Sequence, residues 1–132
     1  MIINFTIYGE PVSQGRPKFF RRGNFVGAYD PKKSKKAKFD IKLQSLEYKP
    51  EKPLQGAIHL NLEFYKSKPK TLSKKVQYNI KRPDLDNYNK LVCDALSGIF
   101  WNDDSQIVSC YSKKYYCCNG DMPRIEICIE EL

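Results

Sequence analysis

The stretch "RPDLDNYNK" holds two aspartates two positions apart, Asp84 and Asp86, in a chain of net charge +8. Lys90 follows the second aspartate by one helical turn, and a further acidic pair, Asp103 and Asp104, comes in "WNDD". Neighbouring carboxylates repel unless a cation or a proton lies between them. Oxygen donors with few imidazoles nearby favour a hard divalent cation, Mg2+ or Mn2+, over zinc. Zinc at its usual ligand spacing is excluded on other grounds: His59 is the only histidine, and no C-x-x-C pair exists. The cysteine count, five, is odd, which argues against a complete disulfide framework and for reduced thiols in or near the core.

The element that carries the motif is a helix. Asp86 reads as its N-cap and Gly98 as its C′ residue. With Lys90 set at 0° and about 100° per residue, Asp86 falls near −40° and Asp94 near +40°. Leu91, Val92, Ala95, Leu96 and Ile99 fall on the opposite side. Asp86, Lys90 and Asp94 are thus one polar stripe, and ordinary capping and i,i+4 pairing would account for those three. A polar turn would account for Asp103 and Asp104. Capping does not account for Asp84, which precedes the helix and projects with Asp86, so the residues from Asp84 to Asp104 together point to a functional site.

Several chemistries fail on the residues. In an EF-hand reading of "DLDNYNKLVCDA" the sixth position would be Asn89 rather than glycine and the twelfth Ala95 rather than glutamate. An aspartyl phosphatase needs an apolar strand running into its D-x-D, and "YNIKRP" is not one. A sugar-nucleotide transferase needs a longer chain. Metal-assisted phosphodiester hydrolysis remains, with Lys90 placed to bind the scissile phosphate.

At 132 residues and 41% hydrophobic content, the chain is expected to form one domain over 1–132. It holds no run of ~18 apolar residues to cross a membrane, and "MIINFTIYGEP" lacks the features of a secretory signal, so a cytoplasmic protein is expected. Residues 1–42 carry ten basic side chains against Glu10, Asp30 and Asp40, which concentrates +7 of the charge there. Within it "GRPKFFRRGNF" interleaves aromatics with Arg16, Lys18, Arg21 and Arg22, a composition suited to phosphate contacts and to stacking on unpaired bases. Residues 9–31 read as a long basic loop or hairpin, flexible until a ligand binds.

Periodicity gives a strand over 2–8, a helix from Pro31 to about Tyr48, and a strand in "GAIHLNLEFY" with Ile58, Leu60, Leu62 and Phe64 inward. His59 falls on the polar side, away from a catalytic role. A charged connection over 66–83 includes a short helix near Leu72 to Val76. After the acidic helix come two strands, "SQIVSCYSKKYY" and "RIEICIEE", joined at the turn signal "NGDMP". Adjacent Cys117 and Cys118 should face opposite ways. The order implies an α/β (α+β) domain with a mixed sheet. Asp104 can reach Asp84 and Asp86 within one chain only if "IFWND" returns nearly straight; that is the expectation here, the alternative being a partner subunit. Phe100 and Trp101 on that return read as packing anchors.

The segment "RPDLDNYNKLVCDALSGIFWNDDSQIV" resembles the signature of the RusA family of Holliday-junction resolvases, and "YGEPVSQGRPKF" resembles the N-terminal loop of its Gram-positive and phage-type members. The resemblance covers about a fifth of the chain. It implies a RusA-like homodimer and an Mg2+-dependent endonuclease, Mn2+ being a possible substitute, that resolves four-way junctions and other branched DNA in recombination and repair. It also implies a phage or prophage setting and no organic cofactor. The family's essential carboxylates match Asp84, Asp86 and Asp104, with Asp103 beside them as a further metal ligand, and its essential lysine matches Lys90. Asp94 matches a supporting position, expected to orient Lys90. Where some relatives carry a basic residue just before the first aspartate, this chain has Pro83, with Lys81 and Arg82 available as the DNA contact. The alternatives are a non-catalytic basic DNA-binding module of phage origin and a phage protein with no DNA role.

Overall fold

Alternation in "IHLNLEFYK" buries Ile58, Leu60, Leu62 and Phe64, none more than 1% exposed, and leaves Asn61 on the other face. That strand is one of the two inner members of a four-stranded sheet. The computed structural model describes residues 1–118 and 120–132. Its elements are strands β1 (Ile2–Tyr8), β2 (Lys18–Arg22) and β3 (Phe25–Tyr29), helix α1 (Lys32–Ser45), strand β4 (Ile58–Lys66), helix α2 (Leu85–Leu96) and strands β5 (Ile107–Tyr116) and β6 (Arg124–Glu131). The main sheet has the order β1-β6-β4-β5; β6 runs antiparallel to both neighbours, and β4 runs parallel to β5. Strands β2 and β3 form a separate hairpin. The expected mixed sheet in a small α+β domain is what forms.

One face of the sheet supplies Phe5, Ile7, Ile125, Ile127 and Ile129 to a core completed by Tyr88, Leu91, Val92, Ala95 and Leu96 of α2 and by Ile41 of α1. The apolar half of the α2 pattern is therefore the buried half. Just past the helix, Phe100 and Trp101 are fully buried, the packing anchors expected of them. Gly98 takes φ +84°, the left-handed conformation that a C′ residue needs.

Three details differ from the sequence reading. Residues 72–76 form turns rather than a helix. Val76 is exposed, so a one-turn helix there has no apolar face to bury and no packing to offset its nucleation. The Lys68 ammonium instead bonds the carbonyls of Ser73 and Lys74. The last two strands are not neighbours: β4 lies between them, and β6 inserts between β1 and β4. Its three buried isoleucines suit a central position, whereas the largely exposed β5 suits an edge. Asn119 of the turn signal lies outside the described residues. Finally, α1 ends at Ser45, and Leu46–Tyr48 continue as a 3-10 turn.

All five cysteines are free; Cys117 is buried and Cys118 exposed, facing apart as expected but just beyond the end of β5. Cys93 and Cys128 are half-buried, and Cys110 is exposed. No helix among the described residues is long and apolar enough to cross a membrane.

Leu62→Ala is expected to lower stability by about 2–5 kcal/mol in urea denaturation, since it opens a cavity under a fully buried side chain. Asn61→Ala on the exposed face should stay within about 0.5 kcal/mol.

Candidate active site

Helix α2 begins two residues earlier than the reading of Asp86 as its N-cap implies. Its N-cap is Asp84, in an extended conformation (φ −67°, ψ 149°), and Asp86 lies in the first turn. Aspartate is favoured at either position, by capping at one and by the helix dipole at the other, so the sequence leaves the choice open. The Asp84 carbonyl accepts from the N–H groups of Asn87 (3.2 Å) and Tyr88 (3.3 Å), but its carboxylate makes no capping hydrogen bond. Asp84, Asp86 and Lys90 are all exposed. Among the described residues, the ion pairs are Lys38 with Asp30, Lys38 with Asp94, and Arg124 with Glu126. Plain i,i+4 pairing would have joined Lys90 to Asp86 or Asp94, and it does not.

The approach to the motif is held by a residue with no sequence signal. Lys114 on β5 donates from Nζ to the carbonyls of Lys81 (2.7 Å) and Pro83 (2.9 Å). Its partners are backbone, so nothing in "SKKYY" singles it out. Asn79, almost fully buried, accepts from the Lys81 N–H at 3.0 Å and fixes the same segment. One helical turn further, Ser112 donates to the Asn89 side chain at 2.7 Å. Helix α2 thus lies along β5 in the opposite sense.

The base of the β2–β3 hairpin docks on α2 beside the aspartates. The Gln14 N–H donates to the Asn87 carbonyl at 3.0 Å, and the Gly15 N–H donates to Ser34 of α1 at 2.9 Å. Arg16, Arg82, Pro83, Asp84 and Asn87 line one open polar cleft of about 430 Å³. Two arginines and an aspartate therefore share an open recess at the N-terminus of α2. Lys18, Arg21 and Arg22 stand on the exposed hairpin, and Lys81 is exposed beside Arg82. A more apolar hollow of about 270 Å³, floored by Ile7, Val12, Ile41 and Leu91, lies between β1 and α1. None of the Asp84–Asp104 motif aspartates lines it.

The second acidic pair is mounted separately. Asp103 and Asp104 open a 3-10 turn just before β5. The buried Trp101 donates its indole N–H to Asp104 Oδ1 at 2.8 Å, so this anchor also orients a carboxylate. Ser105 donates to Asp103 Oδ2 at 2.9 Å. Gln106 locks the turn: its Oε1 accepts from the N–H groups of Asn102 (2.7 Å) and Asp103 (2.9 Å), and its amide donates to the carbonyls of Leu54 (2.8 Å) and Gly56 (3.0 Å). The glutamine of "DDSQ" is thus a structural latch, a role its spacing from Asp103 as a capping box could have suggested.

Asp104 lies towards the later turns of α2. Burial, first, and then the charges of Asp104, Cys110 and Asp94 push the Cys93 thiol up to about 12. Cys93 is seven residues beyond Asp86, a rise of about 10 Å. Asp84 and Asp86 stand at the N-cap and in the first turn of α2, and Asp103 and Asp104 at the 3-10 turn before β5. Among the described residues, no three carboxylate, thiol or imidazole side chains meet as a group that could hold a metal ion.

Asp94 supports the site through a different cation from the one expected. Its partner is Lys38 of α1 at 3.6 Å, and Lys38 also grips Asp30, at the foot of β3, at 2.7 Å. The Lys38 hydrogen bond and charge, with Lys35 and Gln14, hold the Asp30 carboxyl below its ordinary range despite partial desolvation. One lysine therefore ties hairpin, α1 and α2 together. His59, on the open face of the sheet, contacts Ser109 through Nδ1 at 2.6 Å and takes no part here.

A family model described as endodeoxyribonuclease RusA matches residues 8–130. The chain is 36% identical over 140 residues to protein YqaN of Bacillus subtilis strain 168, covering 98% of this chain and 96% of that protein. It is 35% identical over 98 residues to the crossover junction endodeoxyribonuclease rusA of Lactococcus phage r1t, covering 71% of each chain.

Lys38→Met is expected to lower stability, and the loss should depend on pH. Asp30 has a depressed pKa in the folded state, so its contribution is present above the unfolded value of about 3.9 and is lost as pH falls through the folded value. Urea denaturation should therefore show a gap between wild type and variant near neutrality that narrows below about pH 4.

Proposed function

This chain belongs to the RusA family of endodeoxyribonucleases, and from that membership we propose that it cuts four-way junctions and other branched DNA by phosphodiester hydrolysis, with Mg2+ as cofactor and Mn2+ as a substitute. The observation that carries the reading is Asp84. Capping by an aspartate stabilises a helix by about 1 kcal/mol. Here an aspartate occupies the capping position while its carboxylate makes no capping bond and faces a cleft lined with Arg16 and Arg82. A carboxylate held in that way is placed for a ligand.

The donor chemistry fits the cation. Mg2+ takes one or two carboxylates and fills its remaining positions with water and substrate phosphate. Asp84 and Asp86 would hold it, and when bound it supplies an activated water and neutralises charge on the phosphate. Asp103 and Asp104, on their separate mount before β5, would complete the donor set. Lys90, with no carboxylate partner among the described residues, sets its ammonium against the charge that builds on the phosphate oxygens. Arg16 and Arg82 on the cleft rim, with Lys18, Arg21, Arg22 and Lys81 around it, hold the flanking backbone. Asp94 acts at one remove, through Lys38, by fixing α1 to α2. Two copies related by a two-fold axis would offer two such sites to a junction of matching symmetry. The setting we assign is recombination and repair of phage or prophage DNA in the bacterial cytoplasm.

The test uses the purified protein with a labelled four-way junction and the matching linear duplex, in Mg2+ or in EDTA. Paired cuts in the junction alone, and only with Mg2+, are expected. Salt-sensitive binding without nicking would replace the endonuclease by a DNA-binding module. Asp84→Asn should slow cutting by at least about a hundredfold with junction affinity nearly unchanged, and Lys90→Ala by about 10²–10³. Equal losses of cutting and affinity in Lys90→Ala would reassign it to DNA anchoring. Asp104→Asn separates the two acidic mounts: a loss as deep as that of Asp84→Asn is expected, and full activity would confine the donor set to Asp84 and Asp86.

A further inference from the structure

We propose that the outward face of the β2–β3 hairpin, centred on Phe19, is a stacking platform for bases unpaired at a DNA branch point. The inference rests on the endonuclease reading of the neighbouring site. Register divides the hairpin into two faces, because residues directly opposite one another share a side. Lys18 pairs with Tyr29, Phe20 with Gly27 and Arg22 with Phe25 on one face; Phe19 pairs with Ala28 and Arg21 with Val26 on the other.

The first face is occupied by its own side chains. The Phe20 ring lies over Gly27, where any Cβ would collide with it. Phe20 also packs on Phe25 (5.9 Å between centroids) and Tyr29 (6.2 Å). Arg22 stands over Phe20 at 5.7 Å, and Lys35 of α1 over Tyr29 at 5.9 Å. These aromatics hold the hairpin in shape. On the second face Phe19 is 74% exposed and touches no other ring among the described residues, against 62% for Phe25 and 37% for Phe20, which pack on each other. A phenyl ring held out in water on a two-stranded ribbon adds nothing to the fold.

Charge decides which partner that ring suits. Arg21 shares its face and Lys18 and Arg22 stand on the other face of the same ribbon, within the most basic third of the chain, so the partner is an anion with apolar flat surfaces. Bases joined by phosphates have that chemistry, and arginine alternating with aromatics is how single strands are held. A second copy of the chain fits poorly, since it brings the same positive charge and the face is far smaller than the ~800 Å² per partner of a stable interface. Within duplex DNA the base faces are already stacked; at a branch point they are not.

Position links the platform to the cut. Arg16 lines the cleft with Asp84, and the Phe19 Cα can lie no more than about 11 Å from that of Arg16. A base on Phe19 and a phosphate at Arg16 therefore belong to one short stretch of DNA. The hairpin would thereby tell the carboxylates that a branch, rather than plain duplex, is in place.

The test is a four-way junction with 2-aminopurine at its branch point, read by fluorescence with Ca2+ replacing Mg2+, alongside cutting rates in Mg2+. Wild type should change the fluorescence, and Phe19→Ala should abolish that change and slow cutting at sub-saturating protein by roughly 5- to 150-fold. Phe19→Trp should keep both properties and Phe19→Leu should not, all with unaltered thermal melting. Wild-type fluorescence change and cutting in Phe19→Ala would overturn the platform while leaving the endonuclease standing. Dissociation of a dimer by Phe19→Ala in sedimentation would also overturn it and assign the face to a second copy. A wild type that neither binds nor cuts the junction removes the endonuclease reading and this inference with it.

Discussion

Strands β4 and β5 are parallel, and parallel neighbours cannot be joined by a tight turn. The chain must cross the sheet, and α2 is the crossover. That requirement puts the N-terminus of α2 beyond the carboxyl end of β4, the end of a parallel pair where open sheets expose their ligands. It also makes β5 run back along the helix, so Lys114, Ser112 and Cys110 come level in turn with Pro83, Asn89 and Cys93. The first acidic pair opens the crossover helix, at its N-cap and first turn, and the second precedes the returning strand. One topological constraint therefore accounts for both the exposure of Asp84 and Asp86 and the mounting of Asp103 and Asp104 on a different element.

What the sequence disclosed follows the range of the forces involved. Period-2 burial of Ile58, Leu60, Leu62 and Phe64, and the apolar face of α2, are local patterns and are present as read. The segregation of Asp86, Lys90 and Asp94 to the polar side of α2 was equally legible. Long-range choices were not. Nothing local says that β6 enters between β1 and β4, since its alternation suits an edge or a centre until its neighbours are known. Nor does the spacing of Asp94 from Lys90 reveal that Lys38, 56 positions earlier, takes the carboxylate instead. Lys114 was invisible because its partners are carbonyl groups common to every residue.

The charges of the molecule divide into those that hold it together and those left facing water. Asp30 and Asp94 share Lys38, and Glu126 takes Arg124. Asp84, Asp86 and Lys90 form no such pair, and Arg16 and Arg82 open onto the same recess as Asp84. Opposite charges that stand near each other without closing into ion pairs remain available to an external charge. A phosphate backbone with its counter-cation carries both signs.

The Lys38 contact also fixes what counts as a transferable part. The strands of the hairpin span only 18–29, yet its foot is held by Gln14 on Asn87, by Gly15 on Ser34 and by Asp30 on Lys38. Grafting the ribbon alone onto a related scaffold would leave it without bearings. The smallest exchangeable module runs from Gln14 through Lys38, and its host must offer a carboxylate where Asp94 stands.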